Sequence, residues 1–499
     1  MNISELPAEK IIAENESIRT LLSTKDREIE KLQNAILNAN KKTFGSKSEK
    51  LSTEQIKFSF NQLPEPKQES LEKEIIVEKH TRVVKKGRNP LPDDLPREEI
   101  IYEPEDTHCS CCNHELVKIG EERSSELEKI PAQLKVIEHV RIKKACPACK
   151  GAGVLVPPLP PTAFPLERAR PGAGLLADII VSKYVDHLPL HRQEDIYRRL
   201  GIELPRQRMC DWVAGVTELL MPIYTALKKE ILSLSYIQAD ETTLKVQDNK
   251  IEGKCHTGYL WGLHGPPSLV WFHYAETRSG KVIEEILEGF KGSVQTDFYA
   301  GYNQVFVPET CNRVACLAHV RRKFIEVQKT AGKECARILK YIADLYRLEK
   351  SVRTDEERGI LRHTKSAKIM NDLFDYLHEL NQRTLPQSLL AKAIKYTLNQ
   401  EKEIRYILES PVFELDNNGI ERQIRPVAIG RKNYMFAGSH DGAKRAAVLY
   451  SLLNTCKLNK VNPWEWLRDV MLRVSSDKSV TAADLLPHHW KIRFAVKTG

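Results

Sequence analysis

The chain has no apolar run approaching the roughly 18 residues of a membrane span. Acids at Glu5 and Glu9 also interrupt the stretch where an export signal would carry its apolar segment. Neither membrane insertion nor a signal peptide is expected, and the setting expected is cytoplasmic. A strong excess of one charge is missing too: the net charge of +9 is modest for 499 residues, so where the charges fall matters more than their sum. In an intracellular chain disulfides are not expected, and the eleven cysteines need another explanation. From 327 to 408 the sequence lacks any β pattern and is charged and helical throughout.

What is present is ordinary soluble-protein material, 41% hydrophobic and 29% charged, in a chain too long for one core. Residues 1–50 hold a helix over 8–40 and a basic tail. Asn15, Leu22, Ile29 and Ile36 fall at heptad position a, with Ile18, Lys25, Leu32 and Ala39 at d. That pattern fits a parallel coiled coil making a homo-oligomer, or an amphipathic helix packed on its own chain. Residues 51–100 are a Pro-, Glu- and Lys-rich linker carrying the basic run Lys85-Lys86-Gly87-Arg88.

Within 101–156, Cys109-x2-Cys112 and Cys146-x2-Cys149 supply four thiolates, the donor set of a closed structural zinc site. His108 and His114 are alternative ligands, and Cys111 is spare. Residues 134–142 alternate as a strand would, so a zinc ribbon with an added hairpin is expected. Residues 165–232 read as helical, with a helix-turn-helix pattern over 192–216 that puts Arg206 and Arg208 at the start of its second helix. Any helical hairpin matches that pattern as well.

From 233 to 450 the pattern is strand, strand, strand, helix, strand, helix, strand, the order of a ribonuclease H-like α/β core, with 327–408 as a helical insertion and 453–499 as a small C-terminal region. The strand 236–240 ends on Asp240, with a turn and a second strand expected after it, and the strand from Gly292 ends on Asp297. Glu421 sits on a short helix that Asp416 or Asn417 caps and Pro426 ends or kinks. Three carboxylates on two strands and a helix suit two Mg²⁺ or Mn²⁺ ions, the hard-ligand arrangement for in-line phosphodiester displacement.

The setting of Glu421 is basic: eight Lys or Arg against two acids between Asn417 and Lys460, among them Arg422, Arg425, Arg431 and Lys432. An i,i+4 pair with Arg425 is its bland alternative. His319, Arg321 and Arg322 are placed to orient a scissile phosphate, whereas Cys311, Cys316 and His319 lack a fourth ligand for zinc. Tyr434, Phe436, Trp464 and Trp466 are expected in the core rather than stacked on bases.

Taken together, the cysteine pairs, Ala239-Asp240-Glu241-Thr242, Asp297-Phe298-Tyr299-Ala300-Gly301-Tyr302, Ala318 to Phe324, and Asn417 to Arg422 followed by Gly430-Arg431-Lys432-Asn433 make the chain resemble a bacterial DDE transposase of the insertion sequence 66 family over nearly its full length. The resemblance implies that Asp240, Asp297 and Glu421 are the acidic triad. It further implies that transposon-end and target DNA are the partners, and that small accessory proteins are encoded by the same element. Gly419 and Ile420 depart from the small residues, such as Ala, more usual before the family's glutamate. Two other functions fit the same motifs: a zinc-dependent DNA-binding protein with an inactive nuclease-like core, and a structure-selective nuclease.

Overall fold

The structure, a computed structural model, describes Lys25 and residues 133–145, 154–159, 165–166, 171–248, 254–307, 310–477 and 479–494. The chain divides into two compact units, Ser46–Glu138 and Met1–Gly45 with His139–Gly499. The expected coiled coil apart from Lys25, the linker, and Cys109, Cys112, Cys146 and Cys149 lie outside the described residues.

The strand expected over 134–142 is not there: these residues have no ladder partner among the described residues, and Val136, Ile137, Val140 and Ile142 are exposed. A short antiparallel pair comes later, β1 (Lys144–Ala145) with β2 (Val154–Leu155), on either side of the second cysteine pair. Three helices follow: α1 (Ala173–Tyr184), α2 (Leu190–Arg199) and α3 (Arg206–Leu232). The sequence places the break between α2 and α3 correctly, but α3 runs well past Val216. Met209, Val213, Val216, Leu220, Ile223, Leu227 and Ile231 recur at three- and four-residue spacing and are all buried, and this stripe carries the helix through Pro222.

The sheet contains β3 (Tyr236–Gln247), β4 (Cys255–Gly265) and β5 (Leu269–Ala275), then, after α4 (Gly280–Ile286), β6 (Gly292–Gln295) and β7 (Cys311–Val314). Its order is β5-β4-β3-β6-β7, antiparallel across the first three strands and parallel from β3 to β7. This is the mixed α/β, ribonuclease H-like core expected. Two local expectations fail. β3 is one continuous strand with no turn after Asp240, because β4 pairs with it along ten positions from Gln238 to Gln247. Between β6 and β7 there is a single 3-10 turn, Ala300–Tyr302, in place of a helix.

α5 (Leu317–Val327) leads from β7 into the insertion, α6 (Gly332–Lys350), α7 (Asp355–Leu361), α8 (Ala367–Arg383), α9 (Leu389–Leu398) and α10 (Glu401–Arg405). The expected strand-free insertion is observed, and it has its own apolar core, shared with α5 and with Tyr236 of β3. At its centre Arg362 is fully buried. Its guanidinium donates to both carboxylate oxygens of Glu349 (2.8 and 3.0 Å) and to the carbonyls of Ile407 (3.0 Å), Phe413 (2.6 Å) and Ser410.

The chain returns to the sheet as α11 (Asn418–Tyr434) and closes with α12 (His440–Leu458), α13 (Pro463–Ser476) and α14 (Pro487–Arg493). α11 is not the short helix expected, since it passes Pro426. An interior proline costs about 3 kcal/mol, but Ile420, Ile424 and Val427 are buried where α11 packs on β3 and β4, and Gly430 is buried against Tyr450. α12 covers the outer edge of the sheet: Val270 and Phe272 donate their N–H groups to Thr455 Oγ1 (3.3 Å) and Ser451 Oγ (2.7 Å). That satisfies an edge strand that would otherwise be open to pairing. Of the aromatics assigned to the core, Trp466 is fully buried, Tyr434 and Trp464 are half-buried, and Phe436 is exposed, lying just beyond the end of α11.

Candidate active site

β3 and β6 place the first two acids. Their parallel pairing ends at Gln238 opposite Gln295, whereas β3 stays paired to β4 through Asp240 and beyond. The β6 side of β3 is therefore open from Ala239 until Lys245–Gln247, where Ala437 pairs with it. Asp240 projects from a rigid mid-strand position beside that opening, not from a strand end. Asp297 lies two residues past β6, in a turn held by its own carboxylate, which accepts the N–H of Tyr299 (3.1 Å). Arg313 secures the same turn, donating to the Asp297 carbonyl (2.5 Å) with its guanidinium 4.5 and 5.0 Å from the Phe298 and Phe306 rings.

The third acid reaches the same place from the far side of the insertion. The segment Glu414–Ile420 is tied to the two strands by a pair of buried glutamines, each two residues before an acid. Gln238 Nε2 donates to the Asp416 carbonyl (3.0 Å), and its Oε1 accepts the Ile420 N–H (3.0 Å). Gln295 Nε2 donates to the carbonyls of Glu414 (2.8 Å) and Ala315 (2.9 Å), while its Oε1 accepts from Tyr236 Oη (2.6 Å) and Gln238 Nε2 (3.1 Å). Every hydrogen-bonding site of Gln295 is filled.

Two glycines let α11 come this close. A Cβ on Gly262, opposite Asp240, would lie 2.9 Å from Ile420 Cδ1, and one on Gly419 would lie 2.2 Å from Gln238 Oε1. The departure at Gly419 thus has a local reason in this chain. Asn417 precedes the helix as expected, but its side chain is engaged by the Cys316 thiol, which donates to Asn417 Oδ1 (3.0 Å). Asp416 Oδ1 accepts the Asn418 N–H instead (3.0 Å).

Asp240 lies within the electrostatic reach of the other two acids. Burial, and after it the negative charges of Glu241, Glu421 and Asp297, push the Asp240 carboxyl well above its ordinary range. Glu241 points to the other face of β3, where Tyr302 Oη (2.7 Å) and Arg278 bind it; burial still raises its pKa. Glu421 lies 3.9 Å from both His319 Nε2 and Arg322. Burial, then the charge of Arg322, lowers the His319 pKa to about 4, so its ring is neutral near pH 7, and its Nδ1 is buried without a hydrogen-bond partner.

A cluster of mutually repelling, half-buried carboxylates fits a divalent cation with oxygen ligands. Among the described residues, the acids are not a trio whose ligand atoms all lie within 4.8 Å of one another.

The remaining residues singled out from sequence are spread more widely. Arg321 acts electrostatically on Tyr346, whose hydroxyl binds Asp416 (2.6 Å). Arg431 is committed to β3, donating to Thr242 Oγ1 (2.9 Å) and to Thr243. Arg422, Arg425 and Lys432 are exposed on α11, and Arg206 and Arg208 are exposed at the start of α3. Burial pushes the Cys316 thiol up, and its sulfur is spent on Asn417, so no metal site forms with Cys311 and His319. Sequence reasoning missed Gln238, Gln295, Arg278, Tyr302 and Arg313. The signal for the glutamines was the motif Gln-x-Asp, present at both acids.

Residues 168–445 match the family model described as Transposase IS66 family, and 106–150, which contain all four paired cysteines, match the zinc-finger binding domain of transposase IS66. Residues 31–100 match a leucine-zipper element described as Transposase C of IS166 homeodomain, overlapping the heptad run at 31–40. Residues 451–488 match the IS66 C-terminal element. The chain is also similar to three Sinorhizobium fredii proteins. It is 37% identical to Uncharacterized protein y4jD over 80% of this chain and 81% of the relative. It is 33% identical to Uncharacterized protein y4hP over 81% and 77%, and 33% identical to Uncharacterized protein y4qI over 80% and 76%. Among the described residues, no helix is long and apolar enough to cross a membrane.

Proposed function

The chain belongs to the IS66 family of DDE transposases, enzymes of phosphodiester cleavage and transfer, and on that premise we propose that it cuts and joins DNA strands at the terminal inverted repeats of an insertion sequence. Asp240, Asp297 and Glu421 are the catalytic acids of this reading, and they would hold two Mg²⁺ or Mn²⁺ ions. The observation that carries it is the placement of the three acids: Asp240 beside the opening where β3 and β6 part, Asp297 in the turn past β6, and Glu421 on the segment that Gln238 and Gln295 hold to both strands, with the Asp240 carboxyl raised by burial and then by the charges of Glu241, Glu421 and Asp297. Carboxylates kept so close against their own repulsion need a cation as partner. When bound, the ions supply positive charge at the attacking and leaving oxygens of an in-line displacement.

The chain's own groups do the positioning. Gln238 and Gln295 fix Glu421 relative to the two strand acids. Arg322 presents a permanent cation beside Glu421 for a phosphate oxygen, and neutral His319 offers a hydrogen bond there without adding charge. Arg206, Arg208, Arg321, Arg422, Arg425 and Lys432 contact DNA backbone in this reading, with Arg431 bracing the β3 side of the path. Cys109, Cys112, Cys146 and Cys149 hold a structural zinc, the N-terminal helix assembles copies of the chain, and small accessory proteins of the same element complete the complex.

The test compares labelled duplexes carrying the element's ends with duplexes of shuffled end sequence, in Mg²⁺, with and without a target duplex. Nicking and joined products confined to the true ends are expected. Equal cutting of both duplexes would make the protein a structure-selective nuclease. Binding of the ends without cutting, accessory proteins included, would make it a DNA-binding protein.

A further inference from the structure

We propose that Glu230, His488 and His489 form a zinc site that fastens the C-terminal helix α14 to the end of α3. Among the described residues this is the one trio of His, Cys, Asp or Glu side chains whose ligand atoms all lie within 4.8 Å of one another. The residues are far apart in sequence, Glu230 in the last turn of α3 and the histidines in the first turn of α14. Glu230 Oε1 is 2.7 Å from His488 Nε2 and 3.9 Å from His489 Nε2. Tetrahedral zinc ligands about 2.1 Å from the ion are roughly 3.4 Å apart, so each separation is within about 0.7 Å of the value required.

The protonation pattern favours a cation here. His489 Nδ1 lies 2.9 Å from the Ala483 carbonyl, which can only accept, so Nδ1 carries the proton. In the neutral ring Nε2 then bears a lone pair facing the Glu230 carboxylate, two electron-rich atoms that a cation between them would reconcile. A backbone carbonyl fixing one nitrogen so that the other can ligate is the usual support of a metal-binding histidine. His488 is held on one side only, since its Nδ1 is buried without a partner, and it is the ring that must turn to widen the short contact. The three side chains remain 18–45% exposed, leaving an approach for the ion and room for water as a fourth ligand.

Two imidazoles and one carboxylate are a donor set that suits zinc, and they suit it better than magnesium or manganese, which the all-oxygen acids of the catalytic cluster favour. The test uses the full chain dialysed against buffered micromolar ZnCl₂, with bound zinc measured by atomic emission for the native protein, Glu230→Gln and His489→Gln. Zinc held by the cysteine pairs is common to all three and cancels in the difference. The native chain is expected to hold one more equivalent than either variant. Added ZnCl₂ should raise its melting temperature by about 2 °C or more beyond any rise in the variants. His489→Gln leaves the His488–Glu230 hydrogen bond in place, so it keeps the test valid if Glu230→Gln fails to fold. Equal zinc content in all three proteins would overturn the proposal and leave an ion pair alone. The readout does not depend on DNA cleavage, so it stands apart from the proposed reaction.

Discussion

Replacing Gln295 with leucine keeps most of the side-chain volume and removes four hydrogen bonds at a fully buried position. The carbonyls of Ala315 and Glu414 would lose a donor and the Tyr236 hydroxyl its acceptor, at about 1–3 kcal/mol for each buried group left without a partner. Burying leucine returns about 2 kcal/mol, so a net loss of roughly 1–7 kcal/mol is expected in urea unfolding. The segment Glu414–Ile420, which sets Glu421, loses its hold on β6 although all three acids remain in the chain. The Mg²⁺ concentration for half-maximal strand cleavage should therefore rise about tenfold or more, the equivalent of 1.4 kcal/mol in metal affinity, and higher Mg²⁺ should recover part of the rate. A variant that only destabilised the fold would lose active protein without moving the Mg²⁺ midpoint. Stability within about 0.5 kcal/mol of native, with an unchanged midpoint, would refute the claim that the glutamine pair positions the third acid.

The other predictions act elsewhere in the fold. Burial holds the His264 pKa at about 4, against about 6.5 when unfolded. The unfolded chain therefore binds more protons between those values, and stability should fall by about 2–3 kcal/mol as pH drops through that window; His264→Gln should flatten that part of the urea-midpoint profile. Arg362→Met leaves Glu349 and three backbone carbonyls without their buried donor. It should cost about 3–5 kcal/mol, read by thermal melting, with protease sensitivity concentrated in 332–405. Asp240→Asn relieves the repulsion among the acids, so in EDTA its melting midpoint should rise by the equivalent of about 1 kcal/mol, and added Mg²⁺ should no longer stabilise it.

The sequence carried the core well because its cues were local. The alternating run from Tyr236, the meander to Ala275 and the strand before Asp297 each announced a strand, and the charged, strand-free stretch announced a helical insertion. It failed where tertiary contacts overrule local cues. A turn read at Asp240-Glu241 is a continuous strand because β4 pairs with it, and proline at 222 and 426 does not stop helices whose apolar faces are buried. At the site the acids were legible from residue type and the basic residues from clustering. The glutamines that set Glu421 were not, because their partners lie 119 and 178 or more residues away in sequence. The pairing of Glu230 with His488, 258 residues apart, was hidden for the same reason.

The central claim, that Asp240, Asp297 and Glu421 work as one metal-binding triad, is tested most directly by cleavage of a labelled end duplex in Mg²⁺ by the native chain and by Asp240→Asn, Asp297→Asn and Glu421→Gln. The account predicts that the native chain cuts and that each variant binds the same duplex but loses cleavage by about 10³-fold or more. Cleavage that survives any one of the three substitutions at near-native rate would contradict it.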